Sequence, residues 1–541
     1  MPSTLRGADI VVRTLERAGH TDIFTLSGNH IMSLFDAAIE TKLSLMHVRH
    51  EAATVHMADA YGRLTGRPGI AWVTGGPGHA NAVGALFTAL GQETPMVLFS
   101  GHTETDQLGR GGFQELRQVE MAAPVCKAAW MATDTATVGM DVAKALRLAT
   151  SGRPGPVHLS LPSDVLDATV HEDAVVWPGA ADFTAPPLPL GDAAADTVLA
   201  LLATAQRPLI IGAPVLATRS GRDLLRRLEA ALTIPACLSE GPRGFNDASL
   251  GAYAEVAKRT DMVLLLGKAL DFTLKFGGAP FAPDCRFIAI DPDGAILGRA
   301  VRARGLAFGC VADTFPAAEA LIARGRPRDD RTWLADARAL FDDRPAAWGD
   351  LVSRTQGMVH PAQVFRALQP FLERDKDSVL ICDGGEFAQW GQAMLRNDRR
   401  MINGVTGSIG SSLPMASGAR VVERNAPVIA VLGDGTFGFH MSEIETAVRL
   451  GLPYVAVVGT DCRWNAEYNL QVRDYGPNRT HGCELNATRY DLVATALGGH
   501  GELVTAADEL APAIERSLAS GEPAVVNVMI ESVPSPVVRR T

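Results

Sequence analysis

The chain has 541 residues, 47% hydrophobic and 20% charged, with a formal net charge of −10. That length exceeds what one hydrophobic core supports and predicts two to four domains, while the acidic balance argues against a nucleic-acid partner. Seven scattered cysteines with no CxxC pair speak against a disulfide framework or a structural zinc site and predict a reducing, cytoplasmic setting. No run of about 18 apolar residues occurs, and the first twenty residues lack the apolar stretch of a signal peptide, so no membrane partner is expected.

The first segment, 1–170, alternates helical patterns with the short apolar runs DIFTL, GIAWVTGG, PMVLFSG and PVHLSLP. Such alternation predicts parallel βαβ units. Residues 177–196, rich in Pro, Ala and Gly, read as a linker. A second segment, 190–335, carries the strand candidates RPLIIGAP, DMVLLLGKAL and RFIAIDPD, and the Arg- and Asp-rich stretch 323–348 reads as a helical connector. The third segment, 358–535, carries SVLICDGG, APVIAVLGDG, PYVAVVGTD and PAVVNVMI. The fold class expected is α/β, three doubly wound parallel-sheet domains that bind ligands at the carboxyl ends of their strands.

Asp434 ends the strand APVIAVLG inside Gly433-Asp434-Gly435, followed by Thr436 and the helical pattern MSEIETAVRLG. Glycines beside a strand-end acid let backbone amides approach a phosphate and leave the acid free for a hard cation. Taken alone, the motif is weak and reads more readily as a tight turn. Asp461 ends the next strand candidate, 461 − 434 = 27 residues on. One helix and one strand fill that spacing, so adjacent parallel strands would present both acids at one edge. Such a pair suits Mg2+ shared with phosphate oxygens. Glu51, in RHEAATVHMADAYGRLTG, lies at an apparent strand-to-helix junction among small and apolar residues that would bury it. Alone, it reads as a helix N-terminal glutamate favoured by the dipole.

Together these motifs resemble the signature of thiamine diphosphate (ThDP) enzymes. The pattern around Glu51 resembles the pyrimidine-binding domain of the acetolactate synthase, benzaldehyde lyase and 2-hydroxyacyl-CoA lyase group. The resemblance spans essentially the whole chain. It implies a pyrimidine-binding domain over 1–170, a central Rossmann-like domain over 190–335 and a diphosphate-binding domain over 358–535. It implies ThDP and Mg2+ as cofactors, with Asp434, Asp461 and the carbonyl of Arg463 on the metal. Thr460-Asp461 stands where the group usually has Asn-Asn, so a carboxylate replaces an amide beside the diphosphate. Glu51 would share a proton with N1′ of the aminopyrimidine. Gly433, Gly435 and Thr436 would flank the diphosphate, joined by Gly385, Glu386 and Phe387 of the loop CDGGEF, where Glu386 replaces a more usual uncharged residue. In NGVTGSIGSS the carbonyl of Gly407 would accept from the 4′-amino group, and Ile409 would hold the cofactor bent.

The same resemblance places substrate-pocket residues in the first segment. His30, with Asn29 beside it, is similar to the pocket histidine of benzaldehyde lyases. Gln114 is similar to the glutamine those enzymes set near the reactive carbon. A histidine there can shuttle a proton to a substrate hydroxyl, and a glutamine amide can donate to a developing oxyanion. His79, in GGPGHANAV, is expected as a loop residue near the pocket. Trp464 is expected to line it. By their residue type alone, His30 and Trp464 read equally as a structural histidine and a core tryptophan.

No clear GxGxxG and no flavin-facing segment of the acetolactate synthase kind occur in the central region, so FAD is not expected. The run LLLGKALDFTLKFGG resembles the 2-hydroxyacyl-CoA and oxalyl-CoA branch, and Asp291 stands where an acid could hold an adenosine ribose. The activity implied is a carbon–carbon lyase or carboligase acting next to a carbonyl, on a small molecule with CoA thioesters among the candidates. An acetolactate synthase-type condensation or decarboxylation of 2-oxo acids is the alternative. A catalytically silent scaffold is the third reading, and intact Glu51 and Asp434 stand against it. One cofactor must meet Glu51 of one domain and the metal acids of another. That implies a homodimer or homotetramer with shared active sites.

Overall fold

A computed structural model describes residues 3–538. Its strands form where the apolar runs are densest, and they divide between two compact units. The first unit comprises the chain as far as Pro186 with Leu413–Arg424 and Ser442–Leu452; the second holds Pro187–Ser412, Asn425–Met441 and the chain from Pro453 on.

In the first unit a short antiparallel ribbon pairs β1 (Thr4–Arg6) with β8 (Thr169–His171). Between them lie β2 (Asp22–Thr25), β3 (Ser44–His47), β4 (Gly69–Val73), β5 (Met96–His102), β6 (Ala128–Met131) and β7 (Pro156–Pro162). These six make a parallel sheet in the order β3-β2-β4-β5-β7-β6. Its inner strands are buried along their whole length, β4, β5 and β7 without exception, as a sheet covered by helices on both faces requires. Two helices from within 358–535 also belong to this unit. Arg449 of the helix Glu443–Leu450 donates to the carbonyl of His47 at 2.6 Å, and Glu443 accepts the Arg49 amide at 3.1 Å. Gly418 of the helix Ser412–Val422 lies so close to Met57 that a Cβ would meet its carbonyl oxygen at 2.5 Å.

The second unit holds two sheets. The central one consists of β9 (Pro208–Gly212), β10 (Ala236–Leu238), β11 (Met262–Leu266), β12 (Arg286–Ile290) and β13 (Phe308–Cys310), parallel in the order β10-β9-β11-β12-β13. The stretch expected to be a connector is part of this layer. Its helix Thr332–Phe341 buries Trp333, Leu340 and Phe341 in the core, and the Trp333 indole donates to the Pro208 carbonyl at 2.8 Å. The other sheet consists of β14 (Val379–Asp383), β15 (Arg400–Ile402), β16 (Val428–Gly433), β17 (Val455–Thr460), β18 (His500–Val504) and β19 (Ala524–Met529). Its order is β15-β14-β16-β17-β19-β18, the same connection pattern as the first sheet. The strand order reverses between β2 and β4, and again between β14 and β16. Such switch points open a crevice beyond the strand carboxyl ends. No helix among the described residues is long and apolar enough to cross a membrane.

Candidate active site

The register pairs Gly433 of β16 with Gly459 of β17. Asp434 and Asp461 therefore leave adjacent parallel strands at one carboxyl edge, beside the reversal between β14 and β16. Asp434 is only 2% exposed. Its Oδ2 accepts from the Cys462 amide at 2.9 Å and its Oδ1 from the Gly435 amide at 2.9 Å. Burial pushes the Asp434 carboxyl up to about 6. Burial, and then the charge of Asp434, pushes Asp461 up to about 7. Each acid raises the cost of ionising the other, and a divalent cation between them removes that cost. Among the described residues no group of three or more His, Cys, Asp and Glu could hold a metal. A cation at this pair would need backbone and phosphate oxygens as well, which is how Mg2+ is usually held.

Around the two acids lies a cavity of about 240 Å³. Every third-segment residue expected at the cofactor or pocket lines it, from four strand ends. Gly385, Glu386 and Phe387 follow β14; Gly407 and Ile409 follow β15. Gly433, Gly435 and Thr436 flank Asp434, and Arg463 and Trp464 follow Asp461. A Cβ on Gly385, Gly407 or Gly433 would meet nothing within 4 Å, so bare backbone borders open space there. Elsewhere the glycines are needed for close packing. A Cβ on Gly435 would lie 2.6 Å from the Trp464 ring, and one on Gly459 2.5 Å from the Phe387 ring. The buried Asp434, the half-buried Asp461, glycine walls and the amides that open the helix Glu386–Met394 fit a diphosphate held with a divalent cation.

Two of these residues have other engagements as well. Glu386 accepts from the Ser535 amide at 2.9 Å and from the Asn469 side chain at 3.3 Å. The Arg463 guanidinium lies 4.4 Å from the centre of the Tyr468 ring. Sequence reasoning missed Asp383, the fully buried last residue of β14, whose carboxyl burial pushes up to about 6. It accepts from the amides of Gly410 and Ser412 at 3.1 and 2.8 Å and so clamps the loop that carries Gly407 and Ile409. An acid closing the apolar run SVLIC was the available signal.

In the first unit Glu51 opens the helix Glu51–Thr65, after His50, whose ring nitrogen accepts from the Ala52 amide at 3.1 Å. Glu51 is half-buried rather than enclosed, because the helix start leaves its side chain at the surface of this unit. Its Oε2 accepts from the Asn81 amide group at 2.9 Å. Asn81 is a second residue the sequence did not mark.

His30 sits in a short helical turn after β2 and is 4% exposed, with the exposed Asn29 beside it. Its Nδ1 pairs with the Thr74 hydroxyl at 3.2 Å, its ring stacks on Phe113 at 5.8 Å, and burial lowers its pKa. Gln114 has a left-handed φ of 56°. Its carbonyl lies 2.5 Å from where a Cβ on Gly76 would be. Gln118, also unmarked by the sequence, ties these loops together: it accepts the Gly76 amide at 2.8 Å and donates to the Gly101 carbonyl at 3.0 Å. The carboxyl ends of β2, β4 and β5 thus gather His30, Thr74, Gly76 and Gln114. His79 corrects the expectation of a loop residue. It lies in the first turn of the helix Pro77–Gly91, fully buried, paired with Ser100 at 2.8 Å and 4.5 Å from the His158 ring. Burial brings it down to about 4.

The chain matches two family models, the N-terminal TPP binding domain of thiamine pyrophosphate enzymes over residues 5–121 and the C-terminal TPP binding domain over 383–528. It is 32% identical to a probable acetolactate synthase of Mycobacterium bovis, across 98% of this chain and 96% of the relative. It is 29% identical to a 2-hydroxyacyl-CoA lyase of Oryza sativa, across 97% and 95%. It is 28% identical to an oxalyl-CoA decarboxylase of Escherichia coli, across 97% and 95%. The chain is a member of the thiamine pyrophosphate enzyme family, in the group that unites acetolactate synthases with 2-hydroxyacyl-CoA lyases and oxalyl-CoA decarboxylases.

Proposed function

We propose that this enzyme uses ThDP with Mg2+ to cleave, and in reverse to form, the carbon–carbon bond next to a carbonyl, in the manner of a 2-hydroxyacyl-CoA lyase or benzaldehyde lyase. The observation that carries the reading is the pair Asp434 and Asp461 at adjacent strand ends over a glycine-walled cavity. When bound, ThDP supplies the electron sink for the bond being broken. In this reading Asp434, Asp461 and the Arg463 carbonyl would hold the cation, and amides at Gly385 and Thr436 would donate to phosphate oxygens. Gly407 and Ile409 seat the aminopyrimidine. Glu51, oriented by Asn81, exchanges a proton at N1′. His30, held neutral by burial, is in the form that can take a proton from a substrate hydroxyl, which cleavage of a 2-hydroxy compound requires. The Gln114 amide donates to the developing oxyanion.

The working unit in this proposal is at least a dimer. Glu51, His30 and Gln114 of one chain serve the cavity of another, and two-fold symmetry makes two equal sites. Its support is that the cavity lining comes from the second compact unit alone. A second reading, acetolactate synthase-type condensation of 2-oxo acids, is favoured by the 32% identity to a probable acetolactate synthase. Product analysis separates the two. The holoenzyme is incubated with a 2-hydroxyacyl-CoA, a benzoin-type ketone or pyruvate. Release of an aldehyde from either of the first two supports the lyase. Acetolactate and CO2 from pyruvate, with no aldehyde released from the others, replaces it with the synthase reading.

A further inference from the structure

Arg243 lines the cofactor cavity together with Gly385 and Glu386, yet it comes from the central sheet's side of the unit, in the turn that follows β10. Its Nη1 donates to Oε1 of Gln389, which lies one turn past Glu386 on the same helix. Among the described residues it makes no ion pair within 4 Å. Its neighbours contrast with it: Arg222 and Arg400 both meet the buried carboxylate of Glu240, at 3.0 and 2.7 Å. Burial still outweighs the charges of Glu386 and Asp247 that act on Arg243 from beyond ion-pair reach, so a half-buried guanidinium hydrogen-bonded to a neutral side chain is costly to keep until a closer anion reaches it. The cavity lining carries the carboxylates Glu386, Asp434, Asp461 and Glu467 against the guanidiniums Arg243 and Arg463. Arg463 is drawn over the Tyr468 ring. A diphosphate adds further negative charge, of which one divalent cation offsets only part.

We infer that Arg243 is a second cationic anchor for the cofactor diphosphate, acting with the metal; the inference rests on the assignment of this cavity to ThDP. A guanidinium is always charged, and its planar fork matches phosphate oxygens. Gln389 accepts one N–H and so fixes the fork, leaving other donors free. The arrangement also accounts for an acid at position 386. Glu386 is tied to the Ser535 amide and to Asn469, and Arg243 supplies the charge that this carboxylate takes from the diphosphate's surroundings.

The test is equilibrium binding of ThDP with Mg2+ to the full chain, read by intrinsic tryptophan fluorescence, since Trp464 lines the cavity. Losing a charge-assisted hydrogen bond predicts that Arg243→Met binds ThDP about 10- to 100-fold more weakly, with Arg243→Lys between the two. Glu386→Gln, which removes a like charge, tightens binding severalfold. The cofactor-free melting temperature of Arg243→Met does not fall, because only Gln389 loses a partner and the cost of the half-buried guanidinium is removed. If the wild type binds ThDP and Arg243→Met binds it equally well, the inference is overturned. If Arg243→Met weakens thiamine, which has no phosphate, as much as ThDP, the anchor role is likewise wrong. A wild-type chain that binds no ThDP removes the cavity assignment and the inference with it.

Discussion

Replacing Gly433 by alanine separates the fold from the cofactor. Gly433 has φ −79° and ψ 164°, extended backbone that any residue adopts, and a Cβ added there meets nothing within 4 Å. Stability without cofactor should therefore hold, or rise by up to about 1 kcal/mol as the unfolded chain loses glycine freedom. The same methyl group borders the cavity just before Asp434, where a diphosphate needs bare backbone. Overpacking there costs about 1–3 kcal/mol, or about 5- to 150-fold in Kd. Gly384→Ala gives the contrasting result. Its φ is +84° and its Cβ would collide with the Thr436 hydroxyl, so the fold itself is destabilised and the melting temperature falls with no cofactor present. Thermal denaturation of both variants, paired with titration of ThDP and Mg2+, reads the two effects separately. A Gly433→Ala chain that melts like the wild type and binds ThDP as tightly would refute the placement of the diphosphate.

Three further outcomes are expected. Glu51→Gln should slow hydrogen–deuterium exchange at C2 of bound ThDP by orders of magnitude while weakening cofactor binding only modestly, since an amide cannot share the N1′ proton; unchanged exchange by NMR removes Glu51 from its role. Buried His79, held down at about 4, and His158, lowered well below the usual range by burial, are neutral in the fold. The unfolded chain binds more protons below about pH 6.5, so stability is fully present above that pH and is lost as pH falls toward 4. The loss is about 3 kcal/mol from His79 alone. Urea unfolding at pH 5 and 7.5 checks it, and His158→Phe should flatten the acid side; a pH-independent unfolding midpoint is the contrary result. Finally, co-assembled Glu51→Gln and Asp434→Ala chains, each inactive alone, should regain part of the activity, because one site per heterodimer receives both intact groups; mixed dimers that stay inactive would sink the shared site.

The strands at the centre of each sheet were legible because burial on both faces writes a continuous apolar run. MVLLL of β11 and VIAVLG of β16 are such runs. The strands the apolar pattern did not mark in the three sheets, β3, β6, β10, β13, β15 and β18, are the edges. Edge strands are short or partly solvated, so their sequences lack the signal. RMI of β15 even carries Arg400, whose charge is met by Glu240, 160 residues away. The site divides in the same way. Gly433-Asp434-Gly435, Asp461 and the loops around Gly385 and Gly407 are local patterns at strand ends, readable along the chain. The partners that orient them are not. Asn81 meets Glu51 across 30 residues, Ser535 meets Glu386 across 149, and Arg243 meets Gln389 across 146. Such contacts exist only once the fold is made, and no local spacing announces them.

Metal-dependent cofactor binding at the two strand-end acids is the account's central claim, and isothermal titration with ThDP tests it most directly. The wild type should saturate at one ThDP per chain when Mg2+ is present and bind far more weakly in its absence. Asp434→Ala should lose cofactor and metal together, because the cation bridges protein and phosphate. Asp461→Asn, which keeps an oxygen ligand and removes one negative charge, should bind at least as tightly as the wild type. Asp434→Ala binding ThDP with wild-type affinity, whether or not Mg2+ is added, would contradict the account.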